Sequence, residues 1–151
     1  MIIEYYKTRL NVKDPVRANP SDAGLDVHYS PEKGKRITIM PGDNAVLPTG
    51  LKFGVPHNFM LQVMNRSSMA AKKKLVVGAH CVDSGYDGEV FIDLHNIGDK
   101  PQTLEMGDKI AQLVLVPVVS FRAQETGDDV LYQNEITISG RGDGALGSTG
   151  K

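Results

Sequence analysis

Arg36-Ile37-Thr38-Ile39-Met40-Pro41-Gly42-Asp43-Asn44-Ala45-Val46-Leu47 is the stretch that decides the fold class. Two short runs rich in β-branched and aliphatic residues flank Pro41-Gly42-Asp43-Asn44, which is turn chemistry. The pattern predicts strand, turn, strand. It repeats along the chain: Met60-Leu61-Gln62-Val63, Glu89-Val90-Phe91-Ile92-Asp93-Leu94 and residues 110–119 read as further strands. Pro56-His57-Asn58, Gly85-Tyr86-Asp87-Gly88 and Gly98-Asp99-Lys100-Pro101 read as the turns between them. Sixteen glycines and eight prolines interrupt nearly every segment before a long helix could form, and helices of the size that joins parallel strands are missing. Only Ser67-Ser68-Met69-Ala70-Ala71-Lys72-Lys73 combines serines, helix formers and a basic end, which predicts one helix of about two turns. The expectation is an all-β domain, a jelly roll or distorted barrel with a single short helix.

The 151 residues suit one core. Seventeen Lys and Arg against eighteen Asp and Glu leave a net charge of −1, so there is no general attraction for nucleic acid or an anionic membrane. No apolar run approaches the ~18 residues of a membrane span, and charge arrives too early at the N-terminus for a secretory leader. The single cysteine, Cys81, cannot form an internal disulfide and suits a reducing compartment. These features predict a soluble cytoplasmic protein. From about residue 126 the chain turns polar and ends in a glycine-rich tail, residues 140–150, that cannot build a core. The expected division is a β core, residues 1–125, and a C-terminal strand with a mobile arm, residues 126–151.

Several segments carry chemistry. Glycines in the tail would let successive N–H groups converge on an anion, with Arg141, Ser148 and Thr149 adding charge and hydroxyls. A disordered terminus is the bland reading. Asp83 closes an apolar run where a carboxylate could orient and deprotonate water, and Tyr86 could press its ring against a sugar, although an Asp opening a Ser-Gly turn is commonly structural. Arg66, Ser67 and Ser68 could seat a phosphate or simply cap the helix. Gln112 is a polar side chain inside an apolar strand and needs a partner if buried. Asp26, between Leu25 and Val27, would be an inward or interfacial carboxylate with the same need. His28, His57, His80, His95 and Cys81 lack the close paired spacing of a zinc site, so the histidines read as surface or satisfied core residues.

Taken in order, Ala23-Gly24-Leu25-Asp26, Arg66-Ser67-Ser68, Val82-Asp83-Ser84-Gly85-Tyr86-Asp87-Gly88-Glu89, Gly107-Asp108-Lys109-Ile110-Ala111-Gln112-Leu113 and residues 141–150 resemble the five motifs of the trimeric dUTPase family. The resemblance covers nearly the whole chain. It implies a jelly-roll homotrimer whose active sites are shared between subunits, hydrolysing dUTP to dUMP and pyrophosphate, limiting uracil in DNA and supplying dUMP for thymidylate. It also implies that Asp83 activates the water attacking the α-phosphorus and that Tyr86 packs under the deoxyribose. The hairpin around Val77, Gly78, Cys81 and Val82 would read uracil, with Phe91 nearby. Arg66, Ser67, Ser68 and Gln112 would hold phosphate oxygens, and Arg141, Leu146, Gly147, Ser148 and Thr149 would close over the nucleotide. Mg²⁺ would ride on the triphosphate with no direct protein ligand, Asp26 acting only through water.

Three positions depart from the family pattern: Leu146 replaces a stacking phenylalanine, His80 a small residue, and Asp87 a frequent arginine. The related dCTP deaminases share the fold but need a glutamate that is missing near Asn65-Arg66-Ser67-Ser68. A dUTPase-like regulatory binder is the rival from another class. The joint presence of Asp83, Tyr86, Arg66 and Gln112 argues for retained catalysis.

Overall fold

The computed structural model describes residues 1–127, so the expected arm residues Arg141, Leu146, Gly147, Ser148 and Thr149 lie outside the described part. One compact unit spans Met1–Ser120. Its eleven described strands are β1 (Tyr5–Lys7), β2 (Leu25–His28), β3 (Arg36–Ile39), β4 (Asn44–Pro48), β5 (Leu51–Phe53), β6 (Phe59–Met64), β7 (Leu75–Val77), β8 (Cys81–Asp83), β9 (Phe91–Asn96), β10 (Gln102–Glu105) and β11 (Lys109–Pro117). A single helix, α1 (Ser67–Lys73), sits between β6 and β7, on the residues the sequence singled out. All pairings are antiparallel, in ladders ordered β2-β11-β6-β8, β4-β9-β7, β1-β5 and β10-β3. This is the jelly-roll β fold.

Period-two patterning explains the core. Along β9, Ile92 and Leu94 are fully buried while Phe91 is exposed and Asp93 and His95 are half-buried. Leu47, Leu51, Leu75, Leu104 and Ile110 join them with no exposed surface. Asn96 is the buried polar exception and is satisfied: its amide donates to the carbonyls of Ile39 and Lys100, and its Oδ1 accepts from the Gly98 N–H. It fixes the turn that the Gly98-Asp99-Lys100-Pro101 composition predicts. Gly42 at φ +82° serves the turn between β3 and β4.

Two expectations are corrected. The segment around Val77 to Val82 is not a two-stranded hairpin: β7 pairs with β9, whereas β8 pairs with β6. Gly78 N–H donates to Asp93 O and His80 O accepts from Val63 N–H, so the backbone groups of residues 78–80 are already directed to different sheets. His28, expected to be satisfied wherever buried, is only 5% exposed and its Nδ1 has no hydrogen-bond partner. His57 and His80 are exposed, as the surface reading expected.

Candidate active site

The sheet registers bring the first group of site residues together. Gln112 on β11 stands opposite Asp26 of β2 on one side and Met64 of β6 on the other, two residues before Arg66. A register shift between Lys109 and Ala111 creates this alignment. Arg66 Nε donates to Asp26 Oδ1 at 2.8 Å, and Lys109 Nζ lies 2.8 Å from Asp26 Oδ2, so both carboxylate oxygens face cations. Burial opposes the charged form of Asp26, but the Lys109 hydrogen bond and the Arg66 charge outweigh it and hold the carboxyl below its ordinary range. Gln112 Nε2 donates to Asn65 O at 2.9 Å. The glycine before this strand is required: a Cβ on Gly24 would stand 2.9 Å from Gln112 Oε1 and 3.1 Å from Leu113 O.

Helix α1 begins beside this cluster. Its N-cap is Arg66, in extended geometry and without a side-chain cap. Neither Ser67 nor Ser68 therefore acts as the N-cap that the structural reading allowed, and no acidic residue occupies the first turn. Asn65 Oδ1 accepts from Val77 N–H at 2.7 Å, tying this segment to β7.

The second group surrounds a shallow cavity of about 200 Å³ lined by Cys81, Val82, Asp83, Tyr86, Glu89, Val90 and Phe91. Five of these are residues the sequence assigned to the site. Asp83 ends β8, the outer strand of its sheet, with its side chain exposed. Cys81 Sγ lies 3.2 Å from Asp83 Oδ1. Gly85, at φ +86°, turns the chain so that Tyr86 N–H bonds back to Asp83 O. Tyr86 Oη donates to Glu89 O at 2.9 Å, and the ring lies so close over Gly88 that a Cβ there would collide with it. Tyr86 and Phe91 are 46% and 48% exposed, leaving apolar faces open to a ligand. A larger open groove of about 740 Å³ lies beside β1 and β5, but its lining holds none of the candidate water- or phosphate-handling groups named above.

Sequence reasoning missed the staple behind this cavity. Arg9 grips Glu89 with two 3.0 Å bonds, Nη1 to Oε2 and Nη2 to Oε1, while Gly50 N–H donates to Glu89 Oε1 at 2.7 Å. Arg9 gave no signal because its partner is 80 residues away. Lys109 was visible within a motif, but its pairing with Asp26 was not. Asp87 is exposed and meets Lys52, whose ammonium donates to Asp87 O at 2.8 Å.

The two groups do not meet within one chain. Asp83 stands opposite Met60 on β6, and Gln112 opposite Met64. Four residues along the strand and two strand spacings across it separate their Cα atoms by roughly 16 Å. The fold thus presents the Asp83 carboxylate at one sheet edge and the Asp26, Arg66, Lys109 and Gln112 cluster two strands away.

Comparison with known proteins gives the same frame. The family model for dUTPase matches residues 11–150. Deoxyuridine 5'-triphosphate nucleotidohydrolase of Rhizobium rhizogenes is 36% identical over 138 residues, covering 90% of this chain and 84% of that one. The protein of the same name from Chlamydia muridarum is 35% identical over 139 residues, covering 91% and 90%. Among solved structures, a point mutant of the Staphylococcus bacteriophage 80alpha dUTPase with dUpNHpp aligns with a TM-score of 0.83 over 99% of both chains at 21% identity. A point mutant of the dUTPase from phage phi11 of S. aureus, described with a structural Mg(II) ion, aligns at 0.76 over 85% of this chain and 98% of that one, also at 21% identity. Two motif-bearing halves on a jelly roll, with a family match across residues 11–150, lead to one conclusion: this chain belongs to the dUTPase family.

Proposed function

We propose that this protein hydrolyses dUTP to dUMP and pyrophosphate, with Asp83 as the base that activates water for attack on the α-phosphorus. The observation that carries the reading is the cavity in which Asp83, Tyr86, Cys81, Val82 and Phe91 converge. An exposed carboxylate beside an open aromatic face suits a nucleoside phosphate whose sugar rests on Tyr86. The backbone of residues 77–82 reads the uracil edge. Arg66, Ser67, Ser68 and Gln112 hold phosphate oxygens, consistent with uncapped serines and a guanidinium anchored to Asp26.

The roughly 16 Å between Asp83 and Gln112 favours a site completed by another copy of the chain, and a homotrimer supplies three such sites. Arg141, Leu146, Gly147, Ser148 and Thr149, on an arm from residue 126 onward, close over the nucleotide. A Mg²⁺ ion carried by the triphosphate would align it and offset charge on the departing pyrophosphate. Asp26 fits that ion only through water, because Arg66 and Lys109 already occupy its two oxygens. No helix among the described residues is long and apolar enough to cross a membrane, which is compatible with work in the cytoplasm on a diffusible nucleotide.

Pyrophosphate release from dUTP, measured against dCTP, dTTP and UTP with and without Mg²⁺, tests the assignment. Rapid, dUTP-selective, metal-assisted release that disappears in Asp83→Asn is expected. Tight dUTP binding without release would overturn the catalytic reading in favour of a nucleotide-gated binder.

A further inference from the structure

Cys81 and Asp83 are two apart on β8, so their side chains share a face of an edge strand. The Cys81 sulfur stands 3.2 Å from Asp83 Oδ1 and 3.4 Å from Met60 Sδ, on the residue opposite Asp83 in the ladder. One thiol has one proton to donate. A carboxylate is a far stronger acceptor than a thioether, so the proton points to Asp83 and the methionine sulfur walls the thiol from behind. No other side chain is found donating to the Asp83 carboxylate among the described residues.

We propose that Cys81 is a positioning residue for Asp83: its thiol holds Oδ1 in place and leaves Oδ2 to face the reacting water. This rests on the reading of Asp83 as the water-activating base. The thiol is suited to the role across the working pH range, because the hydrogen bond to Asp83 pushes its titration upward and keeps it a neutral donor. Other titratable groups facing the pair are already engaged. Tyr86 Oη is bound to Glu89 O, and the Glu89 carboxylate is held by Arg9 and Gly50 N–H. Across the ladder, Met60 and Gln62 carry no charge.

Two measurements separate this idea from the assignment beneath it. Cys81 is the sole cysteine, so the rate of iodoacetamide alkylation against pH reports its thiol alone, without any turnover. The apparent thiol pKa falls in Asp83→Asn if the contact exists, and an unchanged alkylation profile overturns the proposal whether or not the protein hydrolyses dUTP. In steady-state assays, Cys81→Ala lowers kcat about three- to tenfold, the scale of one hydrogen bond, with KM unchanged. Cys81→Ser, which keeps a donor at the same place, recovers most of the lost kcat, which a merely structural role for the residue would not produce. Native kcat in Cys81→Ala, or a loss that Cys81→Ser does not restore, would refute the role.

Discussion

Replacing Arg9 with methionine removes the guanidinium while keeping much of its apolar stem. Four hydrogen bonds disappear: two to Glu89 at 3.0 Å, one to Ser30 O and one to Thr8 Oγ1. Glu89 keeps only the Gly50 N–H as a described donor to its carboxylate. The pair is neither fully buried nor free, since the Arg9 and Glu89 side chains are 22% and 14% exposed. Breaking a wholly buried pair costs ~3–5 kcal/mol and an exposed one ~0–1, so the expected loss is about 2 kcal/mol. For a chain of this length that corresponds to a fall in Tm of roughly 4–8 °C. Thermal and urea denaturation at fixed protein concentration give the number, since assembly would otherwise shift it. Glu89→Gln and the double variant complete a cycle, in which a coupling of about 1 kcal/mol or more is expected. A loss in Arg9→Met below about 0.5 kcal/mol, or strictly additive single effects, would refute the staple.

Gly88→Ala displaces the Tyr86 ring, because the new Cβ would collide with it; selectivity for dUTP over UTP drops about tenfold while the fold survives, as competition assays and circular dichroism will show. Stability also falls as pH drops below 6.5, the ordinary histidine value. His28 is held neutral first by burial and then by the positive charges of Lys13 and Lys109, so its folded pKa lies below its ordinary value and the unfolded chain takes up the proton first. The stabilising effect is complete above that ordinary value and is lost as pH falls through the folded one; a chemical-denaturation series in which His28→Leu keeps the same acid slope would contradict this. Finally, Leu146→Phe, in the proposed arm, lowers KM for dUTP about fivefold through an aromatic contact worth ~1 kcal/mol, and unchanged kinetics would remove Leu146 from the closing contact.

Legibility in the sequence followed the range of the interactions. Helix α1 was readable because its serines, helix formers and lysines are local signals, and β3 because Arg36-Ile37-Thr38-Ile39 is a compact run beside a strong turn. β1, β5 and β10 were missed: Tyr5–Lys7, Leu51–Phe53 and Gln102–Glu105 are too short to show a period and become strands only through their partners. β9 begins two residues later than its pattern suggests because Glu89 is drawn to Arg9 and Val90 N–H donates to Leu51 O. The same distinction holds in the site. Asp83, Tyr86 and Gln112 were conspicuous by residue type within short motifs, whereas the partners of Asp26 and Glu89 depend on registers between segments far apart in the chain.

The crossing at residues 78–80 has a mechanical consequence. Its two ends are fastened to different ladders, one through Gly78 to β9 and the other through His80 to β6. A slip of either sheet by a fraction of an ångström therefore changes the gap between the anchors, and the backbone strung between them must tighten or slacken. Remote packing changes under β9 or β6 thereby reach the segment proposed to read the base, so on that proposal selectivity drifts by substitution in the core while every residue touching the ligand stays the same.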